Sequence, residues 1–394
     1  MQKFKQGILK FFLFLLVFAY FRKIIFLDLS KNNDLGQMAI LSHRNGAIDG
    51  FLYAFIFPKI QFLLARNLRR SFLGKIFFQG IEITREKDKE RALQQGLKVK
   101  ENDNFSALKQ CLNLMQRGGT LGIFPEGTSA LNPKHLKFAN GASKIAYLML
   151  QKNALEITPL SIFYDDPTQM GSKVFIVKGR NLKFDHIQDK EILYTQISAA
   201  LENILIEFKD EKEQENCEKI AIFSSLYKDE LYLKVLKNSK ISKLQEKLKS
   251  YEIKSSKAFL YKNCAIFPKS FLLSLWVFFI TAIIVIPTFL FNLPIFLSSF
   301  IAAKFSKEKH TISLYKILSG TSAFVIFYMA LALFFPLIAF LCCIFSLWGF
   351  HLYGAFKKHG IFLLNALFFN KLKRDYDDLQ EEINEYFKNQ NSAF

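Results

Sequence analysis

The sequence predicts an α/β fold: a layered sheet with flanking helices, followed by a C-terminal helical membrane region. Three observations carry that reading. Between residues 38 and 184, short apolar runs alternate with segments of helical periodicity, the pattern of strands covered by helices. Beyond residue 266 lie two uncharged apolar stretches, 270–303 and 317–350, each long enough to enter a bilayer. Finally, 51% of the chain is hydrophobic and 45 residues are Phe, a composition that points to membrane contact.

The formal net charge of +19 sits mostly on scattered Lys, without the Arg and aromatic interleaving of a nucleic-acid groove. Anionic lipid headgroups, phosphorylated substrates and an acidic carrier protein are the partners such a surface attracts. The five cysteines, Cys111, Cys217, Cys264, Cys342 and Cys343, are odd in number and lack zinc-type spacing, so they read as reduced and structural.

Residues 1–30 place Lys before an apolar run, yet no small-residue cleavage site follows, and Arg22 and Lys23 interrupt the pattern. The uncharged run 11–21 is too short to cross a bilayer, which predicts an interfacial helix in the headgroup region. A polar turn, KNNDLGQ, precedes an apolar strand that stops at His43, Arg44, Asn45 and Gly46, and AIDGFLYAFIF then starts a helix. QFLLAR (61–66) and GIEITR (80–85) read as strands, with a helical stretch 67–78 between them. After the charged segment 86–103, FSALKQCLNLMQ is a helix closed by Gly118 and Gly119. TLGIF is a strand broken at Pro125, 141–152 is a helix, and 156–164 and 172–179 are strands.

Residues 186–262 are charged and helical in pattern, expected as solvated amphipathic helices linking the sheet to the membrane region. The two apolar stretches carry Pro287, Pro294 and Pro336 towards their middles, and Lys flank both on both sides. Two simple spans would put the Lys-rich middle loop on the far side of the membrane; proline-broken hairpins would return it to the cytoplasmic face. The predicted organisation is therefore an N-terminal interfacial helix (1–30), a catalytic unit (31–185), a charged helical linker (186–265), a membrane-embedded region (266–370) and a C-terminal surface helix (371–394).

Chemistry enters at His43. A strand ending in a polar corner delivers side chains to a sheet edge, where ligands bind in open α/β folds. Asp49 falls in the first turn of the following helix, within reach of the His43 ring. A carboxylate there fixes the imidazole tautomer and stabilises the imidazolium, leaving the other ring nitrogen to take a proton from a hydroxyl. Three further features follow in order: GIEITR with Arg85 at a strand end, FPEGTS at 124–129, and ITPLSIFY at 157–164.

This order and spacing resemble the glycerolipid acyltransferase superfamily, over about residues 15–184. His43 and Asp49 match the family's catalytic pair, Gly80 and Arg85 its second block, Phe124, Pro125, Glu126, Gly127 and Thr128 its third, and Pro159 the proline of its fourth. The spacing departs from the usual form, with five residues between His43 and Asp49, as in the branch resembling yeast-type glycerol-3-phosphate and dihydroxyacetone-phosphate acyltransferases. Ser129 and Ala139 stand where many members carry Arg and Lys. The resemblance implies His43 as general base with Asp49 behind it, and Arg85, Glu126, Gly127 and Thr128 as substrate-binding residues. It implies fatty acyl transfer from acyl-CoA or acyl carrier protein to glycerol-3-phosphate or lysophosphatidate, with no metal or other cofactor. The setting it implies is a bacterial inner membrane, with the catalytic unit facing the cytoplasm. Two other readings remain open at this level: an acyltransferase for another lysolipid headgroup, and a non-catalytic membrane scaffold that keeps a degenerate acyltransferase fold.

Overall fold

The computed structural model describes residues 13–30, 34–69, 80–85, 104–186, 189–226, 231–238 and 242–388, with Gly7, Phe11, Gln94 and Asp229. The stretch 67–78 expected as a helix lies largely outside the described residues, as does the charged segment 86–103.

Eight strands form one sheet: β1 (Phe21–Asp28), β2 (Met38–Leu41), β3 (Ile60–Ala65), β4 (Gly80–Ile83), β5 (Thr120–Ile123), β6 (Leu155–Tyr164), β7 (Ser172–Lys178) and β8 (Leu182–Phe184). The order is β1-β7-β6-β2-β5-β3-β4, with β8 paired to β6. Strands β2 to β6 pair in parallel, whereas β7 and β8 return antiparallel to β6. One consequence governs function: the carboxyl ends of β2, β4, β5 and β6 all emerge along the same edge.

Strand alternation divides the core into two. Leu41, Leu160, Ile162, Tyr164 and Val174 point to one face, where α1 (Ala47–Ile56) buries Ile48, Phe51, Leu52 and Tyr53 against them. Met38, Ile40, Phe163, Phe175 and Val177 point to the other. That second face is covered by α2 (Phe105–Gln116), α3 (Gly141–Leu150), α4 (Lys190–Glu202), α5 (Glu211–Ser225), α6 (Leu231–Asn238) and α7 (Ser242–Lys254).

Three expectations change here. Residues 21–28, read as part of an interfacial helix, form strand β1 and pair in parallel with β7. Their charges are absorbed at the tertiary level: Phe21 is buried, and Lys23 bonds the Asp229 carboxylate at 2.9 Å. The segment read as a solvated linker is instead a wall of the core, because Leu193, Ile197, Leu201, Ile220, Tyr232 and Leu233 are buried against the sheet. The C-terminal helix, described below as α12, belongs to the same core rather than to the surface alone.

The apolar region folds as four helices: α8 (Phe271–Phe291), α9 (Leu293–Lys304), α10 (Ile312–Phe334) and α11 (Pro336–Phe368). Pro287 is carried inside α8; the breaks come at Asn292, ahead of Pro294, and at Phe335, ahead of Pro336, where proline occupies the first turn of a new helix. Both breaks reverse the chain. Phe289 stacks on Phe296 across the first, with ring centroids 4.1 Å apart, and Ser299 bonds the Lys316 carbonyl between α9 and α10 at 3.0 Å. The Lys-rich loop between α9 and α10 thereby comes back to the sheet: Lys316 Nζ donates to the Thr168 carbonyl at 2.7 Å, and Ser313 bonds Pro167. Each apolar stretch thus folds back on itself. The buried Asn292, Tyr328 and Ser346 bond one another at the first reversal. Segments Phe271–Phe291, Lys309–Phe334 and Pro336–Phe368 are each long and apolar enough to cross a membrane, and Leu333, Phe334 and Leu337 stand exposed at the far tip. Helix α12 (Lys373–Lys388) closes the chain, burying Tyr376, Leu379 and Ile383 against α5 and α7.

Candidate active site

Strand β2 ends at Leu41, so Ser42 and His43 leave the sheet at its carboxyl edge. Gly46 then turns the chain with φ of 56°, a left-handed conformation that glycine accepts without steric cost. A Cβ there would stand 3.1 Å from the His310 carbonyl oxygen, so the returning Lys-rich loop packs directly on the histidine turn.

Because α1 begins immediately, Asp49 lies one turn inside it and folds back beneath His43. Its carboxylate is fully buried, and Oδ2 lies 2.9 Å from His43 Nδ1. The same oxygen accepts the backbone N–H groups of Arg44 (2.7 Å) and Asn45 (2.8 Å), while the Tyr164 hydroxyl donates to Oδ1. Four donors thus surround one carboxylate, which offsets the cost of burying it. Burial and the adjacent Asp49 charge push the Tyr164 phenol well above its ordinary pKa, so it stays a donor. Tyr164 closes β6, whose even-numbered residues point to the α1 face. The sequence reading quoted that strand for Pro159 and did not assign Tyr164 a role; its parity with Leu160 and Ile162 is the signal that locates it.

The loop after β5 supplies the second half. Phe124 lies against the His43 ring at 4.3 Å between centroids, and its carbonyl accepts Gly127 N–H at 3.0 Å to close a tight turn. Gly127 takes φ of 66° at the end of that turn. Glu126 points back under β2: Oε1 accepts His43 N–H at 2.9 Å and Oε2 accepts Leu136 N–H at 3.3 Å. Burial raises the Glu126 pKa, opposed by those two N–H groups and by the positive potential of His43 and Arg44. Its two carboxylate oxygens therefore clamp the loop to the histidine turn. Arg85, leaving β4, anchors Nη1 on the Gly127 carbonyl at 2.7 Å. Thr128 is exposed on the same loop, and Ser129 beneath it is buried.

The structure therefore joins His43, Asp49, Arg85, Glu126 and Gly127 in one chain of direct contacts and sets Thr128 at the rim. Nδ1 of His43 is committed to Asp49, and its side chain keeps 17% exposure. Such a ring can accept a proton on Nε2 from a hydroxyl presented at the sheet edge.

Residues 30–163 match the family model described as Acyltransferase. The histidine turn, Arg85 and the loop after β5 fall within the matched span, while Tyr164 lies one residue beyond. Among solved structures, the crystal structure of the 1-acyl-sn-glycerophosphate (LPA) acyltransferase PlsC from Thermotoga maritima is similar at 17% identity and a TM-score of 0.35, covering 51% of this chain and 80% of that one. No curated protein matches the chain. The part of the chain beyond β6, including the helical hairpins, lies outside the matched span.

Proposed function

We propose that this chain is a membrane-bound O-acyltransferase that moves a fatty acyl group from the thioester of acyl-CoA or acyl carrier protein to glycerol-3-phosphate or lysophosphatidate. The observation that carries the reading is the His43–Asp49 contact inside the acyltransferase domain. In the proposed step, His43 Nε2 takes the acceptor's hydroxyl proton as the oxygen attacks the thioester carbonyl carbon. The carbon–sulfur bond then breaks, and the imidazolium returns the proton to the departing thiolate. Ester and free thiol are the products, and the histidine is regenerated.

Asp49 stabilises the imidazolium while it exists, and its donor cage keeps the carboxylate from swinging away. General base catalysis of this kind contributes about 10² to 10⁴ in rate; positioning supplies much of the rest. Arg85 and Thr128, on the rim beside Gly127, are the residues we assign to the acceptor's phosphate and hydroxyls. The five-residue interval between His43 and Asp49 favours the branch that acylates glycerol-3-phosphate or dihydroxyacetone phosphate.

We place the catalytic domain on the cytoplasmic face of a bacterial inner membrane. Lys304, Lys307 and Lys309, on the loop between the hairpins, share the catalytic domain's side with Lys357, which bonds Gln169 at 2.9 Å. That asymmetry agrees with the excess of positive charge on cytoplasmic loops.

Membranes holding either the protein or its His43→Ala form, offered labelled acyl-CoA or acyl carrier protein with each acceptor, test the reading. His43-dependent label in lysophosphatidate assigns the first acylation and label in phosphatidate the second. Absence of label with every donor and acceptor pair, or equal label from the His43→Ala form, rejects it.

A further inference from the structure

On the sheet face opposite His43 lies a polar cavity of about 220 Å³, whose charged lining is Arg22, Asp165, Lys173, Asp229, Lys262 and Lys358. Strand parity places it there. Tyr164 and Val174 belong to the core on the His43 face, so Asp165 and Lys173 turn the other way, towards α5, and Arg22 joins them at the irregularity in β1 between Phe21 and Lys23. Ile222 and Leu226 form the apolar wall, and Tyr261 closes one end.

The charges do not balance within the cavity. Asp165 pairs with Lys262 and also accepts Lys173 N–H at 2.7 Å. Asp229 pairs with both Lys173 and Lys23. Among the described residues no carboxylate pairs with Arg22 or Lys358, and the Arg22 guanidinium lies by the Tyr261 phenol in the lining. Lys262 is buried with 8% exposure, in the turn between β9 (Leu260–Tyr261) and β10 (Cys264–Ala265), and holds a left-handed φ of 49°. Burial pulls Lys173 below the ordinary lysine pKa in spite of Asp165 and Asp229, and nearby Lys262 adds to the pull. Four cations converge on a small enclosed space against two carboxylates, an arrangement that is costly unless an anion completes it.

The cavity also sits at a junction. Arg22 packs its side chain on Gly354 of α11, which in turn lies against Gly171 of the sheet domain. An anion there would bridge β1, β7, α5, the β9–β10 turn and the hairpin region at once. We propose that this cavity is a second anion site, separate from the acyl-transfer centre, that takes a phosphate group. A planar Arg fork beside several Lys ammonium groups suits three or four phosphate oxygens carrying one to two charges. Both a soluble phosphate and the headgroup of an anionic phospholipid offer that chemistry.

The test uses the full chain in uncharged detergent and reads the thermal unfolding midpoint without any turnover. Inorganic phosphate is titrated against chloride at equal ionic strength; in a second arm the protein is held in phosphatidylcholine vesicles with or without phosphatidylglycerol. A midpoint rise of about 3 °C or more is expected in at least one arm. A rise with inorganic phosphate identifies a soluble source, and a rise with phosphatidylglycerol alone identifies a headgroup. The Arg22→Gln/Lys358→Gln pair should abolish the rise, the charge-keeping Arg22→Lys/Lys358→Arg pair should retain it, and Arg85→Ala should leave it in place. Lys358→Gln alone serves if the neutral pair does not fold. No rise in either arm, an undiminished rise in the neutral variants, or loss of the rise in Arg85→Ala overturns the proposal. The acyl-transfer reading stands or falls separately, because no arm of this experiment depends on catalysis.

Discussion

The turn after β2 and the loop after β5 leave the same sheet edge as neighbours, and each buries a carboxylate, but they use it differently. Asp49 meets a histidine ring, two backbone N–H groups and a phenol. Glu126 accepts the backbone N–H groups of His43 and Leu136 and, among the described residues, no ring or phenol. The first arrangement points an acid at a ring that can titrate during a reaction. The second ties two loops together so that the ring stays where it is. The sequence reading set Asp49 behind His43 and Glu126 among the substrate-binding residues; the donors around them separate an electrostatic partner from a clamp.

The largest effect expected from that comparison is at Asp49. Asp49→Asn keeps the size but removes the charge and presents the wrong tautomer to His43, so kcat should fall about 10³-fold. Circular dichroism that still reports a folded chain would assign the loss to chemistry, and near-normal turnover would reduce Asp49 to the same class as Glu126. Next comes Tyr164→Phe. It removes a donor from a buried carboxylate, at a cost of about 2 kcal/mol in stability and roughly a tenfold loss of rate. With one donor fewer, Asp49 keeps more negative charge for the imidazolium, so the acidic limb of the kcat/KM profile, where the general base is lost to protonation, should move to higher pH. A limb that stays put would make Tyr164 a packing residue.

The smallest effect belongs to the clamp. The Glu126 pKa is raised in the folded protein, so folding favours its protonated form. The stability from that preference is present below the ordinary glutamate value and is lost as pH rises through the raised one. Glu126→Gln has no such titration. Melting midpoints measured from acid to neutral pH should therefore show the parent losing ground to Glu126→Gln as pH increases. The opposite trend would mean that ionised Glu126 stabilises the fold and acts more like Asp49.

Much of the site was legible because its pieces are local. The strand into His43, the Asn45–Gly46 corner, Asp49 in a first turn and the Phe124–Gly127 turn each follow from a short run of residues. Strand β1 was not legible, since Arg22 and Lys23 look like an interruption until Asp229 and the polar cavity appear beside them. The helices over 190–254 read as solvated for a related reason. Their apolar stripes are diluted by charge, and only the sheet behind them shows that Leu193, Ile197 and Leu201 are core.

From the sequence alone came the α/β class, the apolar membrane region with its prolines, and the local turns that carry His43, Asp49 and Gly127. These depend on periodicity and backbone preference, which act over a few residues. Tertiary structure decided that Tyr164 reaches Asp49 across 115 positions, that Glu126 is a clamp, and that four cations gather on the far face. Strand order and side-chain parity set those outcomes, since they determine which distant residues share an edge and which share a face.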